Sequence, residues 1–339
     1  MNLWRRSLSE VPPAGAPDPQ AVRPPLPLRP LQWQPRPVRP RPADLPPWVH
    51  ALLFALTLIS MAAAGAMQQG VDPLASPRAL VHLVEGIPFA AALLCILTVH
   101  EFGHYFAARR WGVRATLPYF LPLPYISFLG TLGAVIRIRS SIPHKRALLD
   151  IGVAGPLAGF AVAVAACVVG LSHSTVVGPE HFGQPPIRLG SPLLFALFTR
   201  VMVPTTSPDE LVLLSPIAFA GWVGLFITAF NLFPVGQLDG GHVAYALFGR
   251  LHRYIARAFF IALLGLGVYG IFTLFLGWPQ GWPQGWPGWL ALALLLSLFG
   301  RDHPAPYDAQ LALDGRRRRL GYLAVAVFIL CFSPVPFSY

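Results

Sequence analysis

The chain has 339 residues, 55% of them hydrophobic and only 12% charged, a balance that excludes an ordinary soluble globule and indicates an integral membrane protein. Its net charge of +11 invites a nucleic-acid reading, which is rejected because the basic residues fall in loops beside apolar stretches, as membrane orientation requires. The 3 cysteines, Cys95, Cys167 and Cys331, lie in apolar stretches without CxxC spacing, so buried side chains are expected rather than disulfides or a thiolate metal site.

Residues 1–47 are rich in proline, carry Arg5, Arg6, Arg23, Arg29, Arg36, Arg39 and Arg41, and lack the apolar core of a secretory signal. PPLPLRP and QPRPVRPRP favour extended, polyproline-like backbone, so a disordered cytoplasmic tail at an anionic membrane surface is expected here. Residues 48–339 then form the transmembrane domain. Its apolar segments are 48–67, 87–108, 148–171, 211–233, 254–276, 286–299 and 320–334, where a span needs about 20 residues. The sixth is short. The stretch 191–204 is too short to cross and carries Arg200, which suits an interfacial or re-entrant helix. The expected fold class is an all-α polytopic membrane protein with about six to seven transmembrane helices and a membrane-associated β-hairpin or re-entrant loop.

Arginines before the first span, after the second (Arg109, Arg110, Arg114, Arg137, Arg139, with Lys145 and Arg146), after the fourth (Arg250, Arg253, Arg257) and after the sixth (Arg301, Arg316 to Arg319) place those loops on one side. By the positive-inside rule the N-terminus is cytoplasmic and seven spans put the C-terminus outside. The loop 172–210 is too short for a PDZ domain. GWPQGWPQGWPGW (277–289) reads as an interfacial tryptophan anchor.

The second span ends in His100-Glu101-Phe102-Gly103-His104. Histidines four apart share one helix face, their ring nitrogens suit one tetrahedral zinc ion, and the intervening glutamate suits proton abstraction from water. Such polar groups cost several kcal/mol to bury at membrane depth without partners. The loop 112–147 is broken by prolines, Gly130 and Gly133, and residues 134–139 alternate in a strand-like period. A hairpin dipping into the membrane beside the site is expected, its open edge available to an extended substrate segment.

A catalytic zinc needs a third protein ligand. Asp239, Asp150 and His242 all stand near the required depth, and composition does not choose among them. The glycines after Asp239 permit close backbone approach, and Pro234 breaks the preceding helix.

HEFGH together with Asn231-Leu232-Phe233-Pro234-Val235-Gly236-Gln237-Leu238-Asp239-Gly240-Gly241 resembles the site-2 protease family of intramembrane zinc metalloproteases, in which HExxH on one transmembrane helix is paired with Asn-x-x-Pro-x-x-x-Leu-Asp-Gly on a later one. The likeness covers about residues 86–248, takes in GTLGAVIRIRS and the run Asp150 to Gly159, and without a PDZ insertion is similar to the EGY-like members. The resemblance implies one zinc ion per chain held by His100, His104 and Asp239, with Glu101 as the base that activates water. It places Asn231 near the site, orienting substrate backbone or stabilising the oxyanion. The hairpin at 130–139 is expected to hold the substrate extended, with Gly130 and Gly133 as substrate-binding residues.

The expected protein is thus an intramembrane zinc metalloprotease of a bacterial inner membrane, acting on membrane protein substrates near the cytoplasmic leaflet. The rivals are a zinc-binding membrane chaperone or scaffold without turnover, and a metal-ion transporter. Transporters place ligands midway along several spans, often in repeats. Outside the motifs, Asp150 is expected to cap the third span, His242 to be a loop histidine at the membrane surface, and Gly155, Ala158 and Gly159 to allow close helix packing.

Overall fold

A computed structural model of the chain describes residues 45–73, 75–178, 188–205, 207, 210–275, 284–298, 308 and 311–338. The expected disordered tail, as far as residue 44, the tryptophan repeat from 277 to 283, and Arg301 lie outside these residues.

The chain is mostly helical. Helix α1 (Pro47–Gln68) begins with proline in its first turn, where the missing N–H would have no helical partner. α2 (Leu83–Arg110) follows a 3-10 turn at Ala79–His82. Strands β1 (Tyr119–Pro122) and β2 (Thr131–Val135) form an antiparallel hairpin in the register Tyr119↔Val135 and Phe120↔Ala134. α3 (Lys145–Leu171) leads to β3 (Thr175–Val177), β4 (Arg188–Leu189), α4 (Leu193–Met202) and β5 (Leu211–Leu213). Then come α5 (Pro216–Asn231), α6 (Asp239–Phe248), α7 (His252–Phe275), α8 (Gly288–Leu298), α9 (Gly315–Cys331) and β6 (Phe337–Ser338). β3 pairs with β5, and β4 with β6.

Among the described residues, four helical stretches are long and apolar enough to cross a membrane: Pro47–Gln68, Ala79–Arg110, Lys145–Leu171 and Asp239–Phe275, the last interrupted by a 3-10 turn at Gly249–Leu251. α4, α5 and Gly288–Ser297 of α8 are apolar but shorter. The expected fourth span therefore overran its helix. Leu211–Leu213 pair as a strand, and α5 starts at Pro216 behind a Ser215 cap that accepts the Ala218 N–H. The 191–204 stretch forms the short helix α4, as expected.

The core lies where α2, α3 and α5 meet, through Leu93, Ile96, Leu97, Leu149, Val153, Ala163, Cys167 and Leu225. Small residues bring these backbones together: a methyl on Gly221 of α5 would stand 2.6 Å from the Cys167 nitrogen of α3. A second cluster, including Phe233, Phe260, Leu263 and Trp289, joins α7 and α8. Cys167 and Cys331 are buried as expected, but Cys95 is exposed on the outward face of α2.

The hairpin lies along α1. His50 Nδ1 donates to the Pro118 carbonyl at 2.9 Å, Ser60 Oγ to Gly130 O at 2.6 Å, and Gln68 Nε2 to Phe128 O at 3.0 Å. His50 and Gln68 are about 27 Å apart along the helix axis, so the hairpin follows much of α1's length. The strand sits earlier than the 134–139 alternation suggested. After Val135 the pairing breaks, then resumes as Thr116 N–H to Arg137 O at 3.1 Å and Arg139 N–H to Arg114 O at 2.7 Å.

Candidate metal centre

α2 presents His100, Glu101 and His104 on a buried stripe, each less than a tenth exposed. The two Nε2 atoms are 3.1 Å apart. His104 Nδ1 lies 2.7 Å from the Ile151 carbonyl of α3. A carbonyl only accepts, so Nδ1 carries the proton and Nε2 turns its lone pair to the cluster.

Asp239 arrives from the other side of the core. α5 stops at Asn231 ahead of Pro234, whose ring disfavours helical backbone at the preceding residue. The chain turns through Gly236 (φ 55°) and restarts as α6 at Asp239, a carboxylate in a helix's positive first turn. This turn has no room for side chains. A methyl on Gly240 would sit 1.9 Å from Leu232 O, and one on Gly241 2.3 Å from Gly236 O.

Asp239 Oδ2 lies 3.2 Å from His104 Nε2 and 3.4 Å from His100 Nε2. Ligands bound tetrahedrally to zinc at about 2.0–2.1 Å stand about 3.3 Å from one another, which the three edges of this triangle match. Two imidazole lone pairs and a carboxylate oxygen converging at such distances call for a cation between them. Among the described residues, this is the group of three or more His, Cys, Asp or Glu side chains that suits a metal ion.

The glycines of α3 make room for the histidines. A methyl on Gly155 would lie 2.1 Å from His104 Nε2, and one on Gly159 3.0 Å from His100 Cβ. The expectation of close helix packing was too general: these positions clear space for the imidazoles themselves. Asn231 Nδ2 is 3.4 Å from His100 Nε2. The backbone of Ile136, at the break in the hairpin's pairing, meets the Glu101 carboxylate.

Other expected residues fall elsewhere. Asp150 does not cap α3: His144 does, accepting the Ala147 N–H at 3.2 Å, because the helix begins five residues earlier than Asp150. Nor is Asp150 in the metal triangle; it binds Arg317. His242 is not a loop residue but stands within α6, its Cβ 2.9 Å from where a methyl on Gly152 would be. Gly130 (φ 73°) is packed against α1, where a methyl would lie 2.4 Å from Ser60 O, while Gly133 (φ 99°) has open space beside it. Asp314, beyond the helices, is held below the usual carboxylate range chiefly by the Arg317 backbone N–H and then by its guanidinium.

Sequence reasoning missed the Ile151 carbonyl, Ile136 and the clearance roles of Gly155 and Gly159. Main-chain groups leave no residue-type signal. The only trace of the glycines was their spacing of four, which sets both on the face of α3 that meets α2.

The sequence model of peptidase family M50 matches residues 88–274. The chain is similar to the probable zinc metalloprotease EGY1, chloroplastic, of Oryza sativa subsp. japonica, at 33% identity over 66% of this chain and 41% of that protein. It is also similar to the probable zinc metalloprotease EGY2, chloroplastic, of Arabidopsis thaliana, at 28% identity over 90% of this chain and 52% of that protein. The chain thus spans about half the length of these curated relatives, or less. Both likenesses agree with the resemblance carried by HEFGH and NLFPVGQLDGG. Because the family match takes in more than half of the sequence and runs from α2 into α7, the chain belongs to peptidase family M50.

Proposed function

We propose that this protein is an intramembrane zinc metalloprotease that hydrolyses peptide bonds in or next to transmembrane segments of membrane protein substrates. The observation that carries this reading is the triangle of His100, His104 and Asp239, with Glu101 buried on the same helix.

In this reading His100 Nε2, His104 Nε2 and Asp239 Oδ2 hold one zinc ion per chain. Bound there, zinc supplies Lewis acidity toward a substrate carbonyl and toward water. Glu101 takes the proton of the attacking water on a carboxylate oxygen and delivers it to the leaving amine. Ile151 holds His104 in the tautomer that binds metal. Asn231 orients the substrate backbone or donates to the oxyanion that forms beside His100. A helical substrate must unwind before its carbonyl is accessible, and the edge of β2 away from β1, which among the described residues carries no further strand, offers main-chain groups to the unwound segment. Gly133, with open space at its Cα, lets that segment approach; Gly130 instead fixes the hairpin to α1.

The short helices α5 and α8 are read as buried or partial crossings, α4 as an interfacial or re-entrant helix, and α9 as the last of about seven spans. At 16 residues α5 rises about 24 Å, less than the roughly 30 Å hydrocarbon layer. Asn231 and the turn to Asp239 then lie within the membrane's depth, sheltered by protein. The basic ends support a cytoplasmic leaflet location for the site and a cytoplasmic N-terminus: Arg109 and Arg110 close α2, Lys145 and Arg146 open α3, and Arg316 to Arg319 open α9. A bacterial inner membrane suits this arrangement.

The test is Glu101→Gln, co-expressed with membrane partners beside the wild type. The variant is expected to keep its zinc and lose cleavage by 10²-fold or more, while intact partners accumulate on it in mass spectrometry. Normal cleavage by the variant removes Glu101 from its role. Intact partners accumulating equally on the wild type indicate a scaffold without turnover.

A further inference from the structure

α9 lies beyond the stretch that the family model matches, yet its first turn reaches the helix beside the metal centre. Arg317 Nε donates to both Asp150 oxygens, at 2.9 and 3.1 Å, and Nη2 donates to Oδ2 at 2.8 Å. Trp111 Nε1, just past the end of α2, donates to the same Oδ2 at 3.1 Å. The guanidinium also stands 5.3 Å from the Trp111 ring centroid. Arg317 is fixed at its own base, because Asp314 accepts its backbone N–H at 2.9 Å and binds its Nη1. The segment before α9 is tied to the start of α3 twice more, by Arg146 Nε to Ala312 O at 2.9 Å and by Asp308 N–H to Pro143 O at 2.8 Å.

The residue after Asp150 is Ile151, whose carbonyl accepts the His104 Nδ1 proton. One short stretch of α3 thus grips α2 at two levels: Asp150 holds Trp111, and Ile151 holds the imidazole two turns earlier. Both side chains of the Arg317–Asp150 pair are 24% exposed, so the pair is partly withdrawn from water and made by a two-pronged fork. A mere surface ion pair has neither the second donor nor the ring beneath it.

We propose that Arg317 and Asp150 are positioning residues for the metal centre: by locking α9, α3 and the end of α2 in register, they set the Ile151 carbonyl against His104 and aim that imidazole at the metal. This rests on the zinc reading above. Neither residue touches metal or substrate; both act through His104.

The experiment uses the purified full chain in lipid nanodiscs. Zinc affinity is measured by competition with a fluorescent chelator, the Co²⁺-substituted protein by its visible absorption, and the metal-free protein by its thermal midpoint. Arg317→Gln is expected to bind zinc about 10–100-fold more weakly and to shift the Co²⁺ bands. Arg316→Gln, an exposed neighbour, is expected to change neither. Arg317→Lys, which keeps the charge and loses the fork, is expected to recover part of the affinity. If Arg317→Gln does not accumulate, Asp150→Asn is read the same way, since it keeps the shape and an acceptor for Trp111. Wild-type zinc affinity and Co²⁺ spectrum in the folded variant overturn the positioning role, whatever the thermal midpoint does. A wild type that binds no zinc overturns the zinc reading itself, and this inference with it.

Discussion

Gly155 leaves the His104 imidazole almost no clearance. A single methyl there would fall 2.1 Å from the His104 nitrogen that completes the metal triangle, while one on Gly159 would meet His100 Cβ at 3.0 Å. Gly155→Ala is therefore expected to abolish stoichiometric zinc binding, and Gly159→Ala to weaken it less, with helix content near wild type in both. Atomic emission on the purified variants, alongside circular dichroism, checks the order. The histidines and Glu101 were legible in the sequence because their chemistry lives in residue type and helical spacing. The third ligand was not fixed by composition, since Asp150, Asp239 and His242 were equally plausible in depth. The glycines after Asp239 favoured a shaped site there and the resemblance chose it; geometry sets its carboxylate beside both imidazoles while Asp150 faces Arg317. Gly155 reads as packing, and α2 does come close there, a methyl on Gly103 falling 3.1 Å from Gly155 Cα; that His104 also lies over it is not something a sequence says.

Among the elements, the hairpin depends on α1 as much as on its own two strands. Ser60 Oγ reaches Gly130 O at 2.6 Å inside the protein, so Ser60→Ala leaves a buried carbonyl without that donor. Gly130 O keeps the Leu123 N–H at 3.0 Å, so the expected cost is about 0.5–1.5 kcal/mol. Because the loss is local, amide exchange should quicken across 118–131 and stay unchanged in α2; uniform exchange would show that the hairpin does not open on its own. The first three spans were legible from length and apolarity to within a few residues of α1, α2 and α3. The fourth was not, because Leu211–Leu213 are as apolar as a helix and only their pairing with Thr175–Val177 shows them to be a strand. The alternation at 134–139 pointed to extended backbone, but the ladder breaks at Ile136, and nothing in the side chains announces a main-chain contact with Glu101.

At the scale of the whole molecule, the metal triangle joins α2 to the first residue of α6, elements that α3, α4 and α5 separate in the chain. Zinc that binds only the folded form adds about 2.7 kcal/mol at a hundredfold excess over its dissociation constant. Chelation is expected to lower the thermal midpoint in nanodiscs and zinc to restore it, and Asp239→Asn should blunt that response; a midpoint indifferent to chelator would show that the ion does not brace the fold. Membrane class, the helical character and the paired motifs were legible at this scale, whereas the brace from α9 to α3 was not, because Arg317 and Asp150 are 167 residues apart and each reads as an ordinary charge. One consequence concerns thiol chemistry. Cys167 and Cys331 are sealed inside, while Cys95 looks outward from α2, five residues ahead of His100. An uncharged, lipid-soluble maleimide should attach one dye to each chain without any engineered cysteine, and a sulfonated, water-soluble one should attach none where hydrocarbon covers that face. The unmodified protein would then carry its own optical reporter on the very helix that holds the ion.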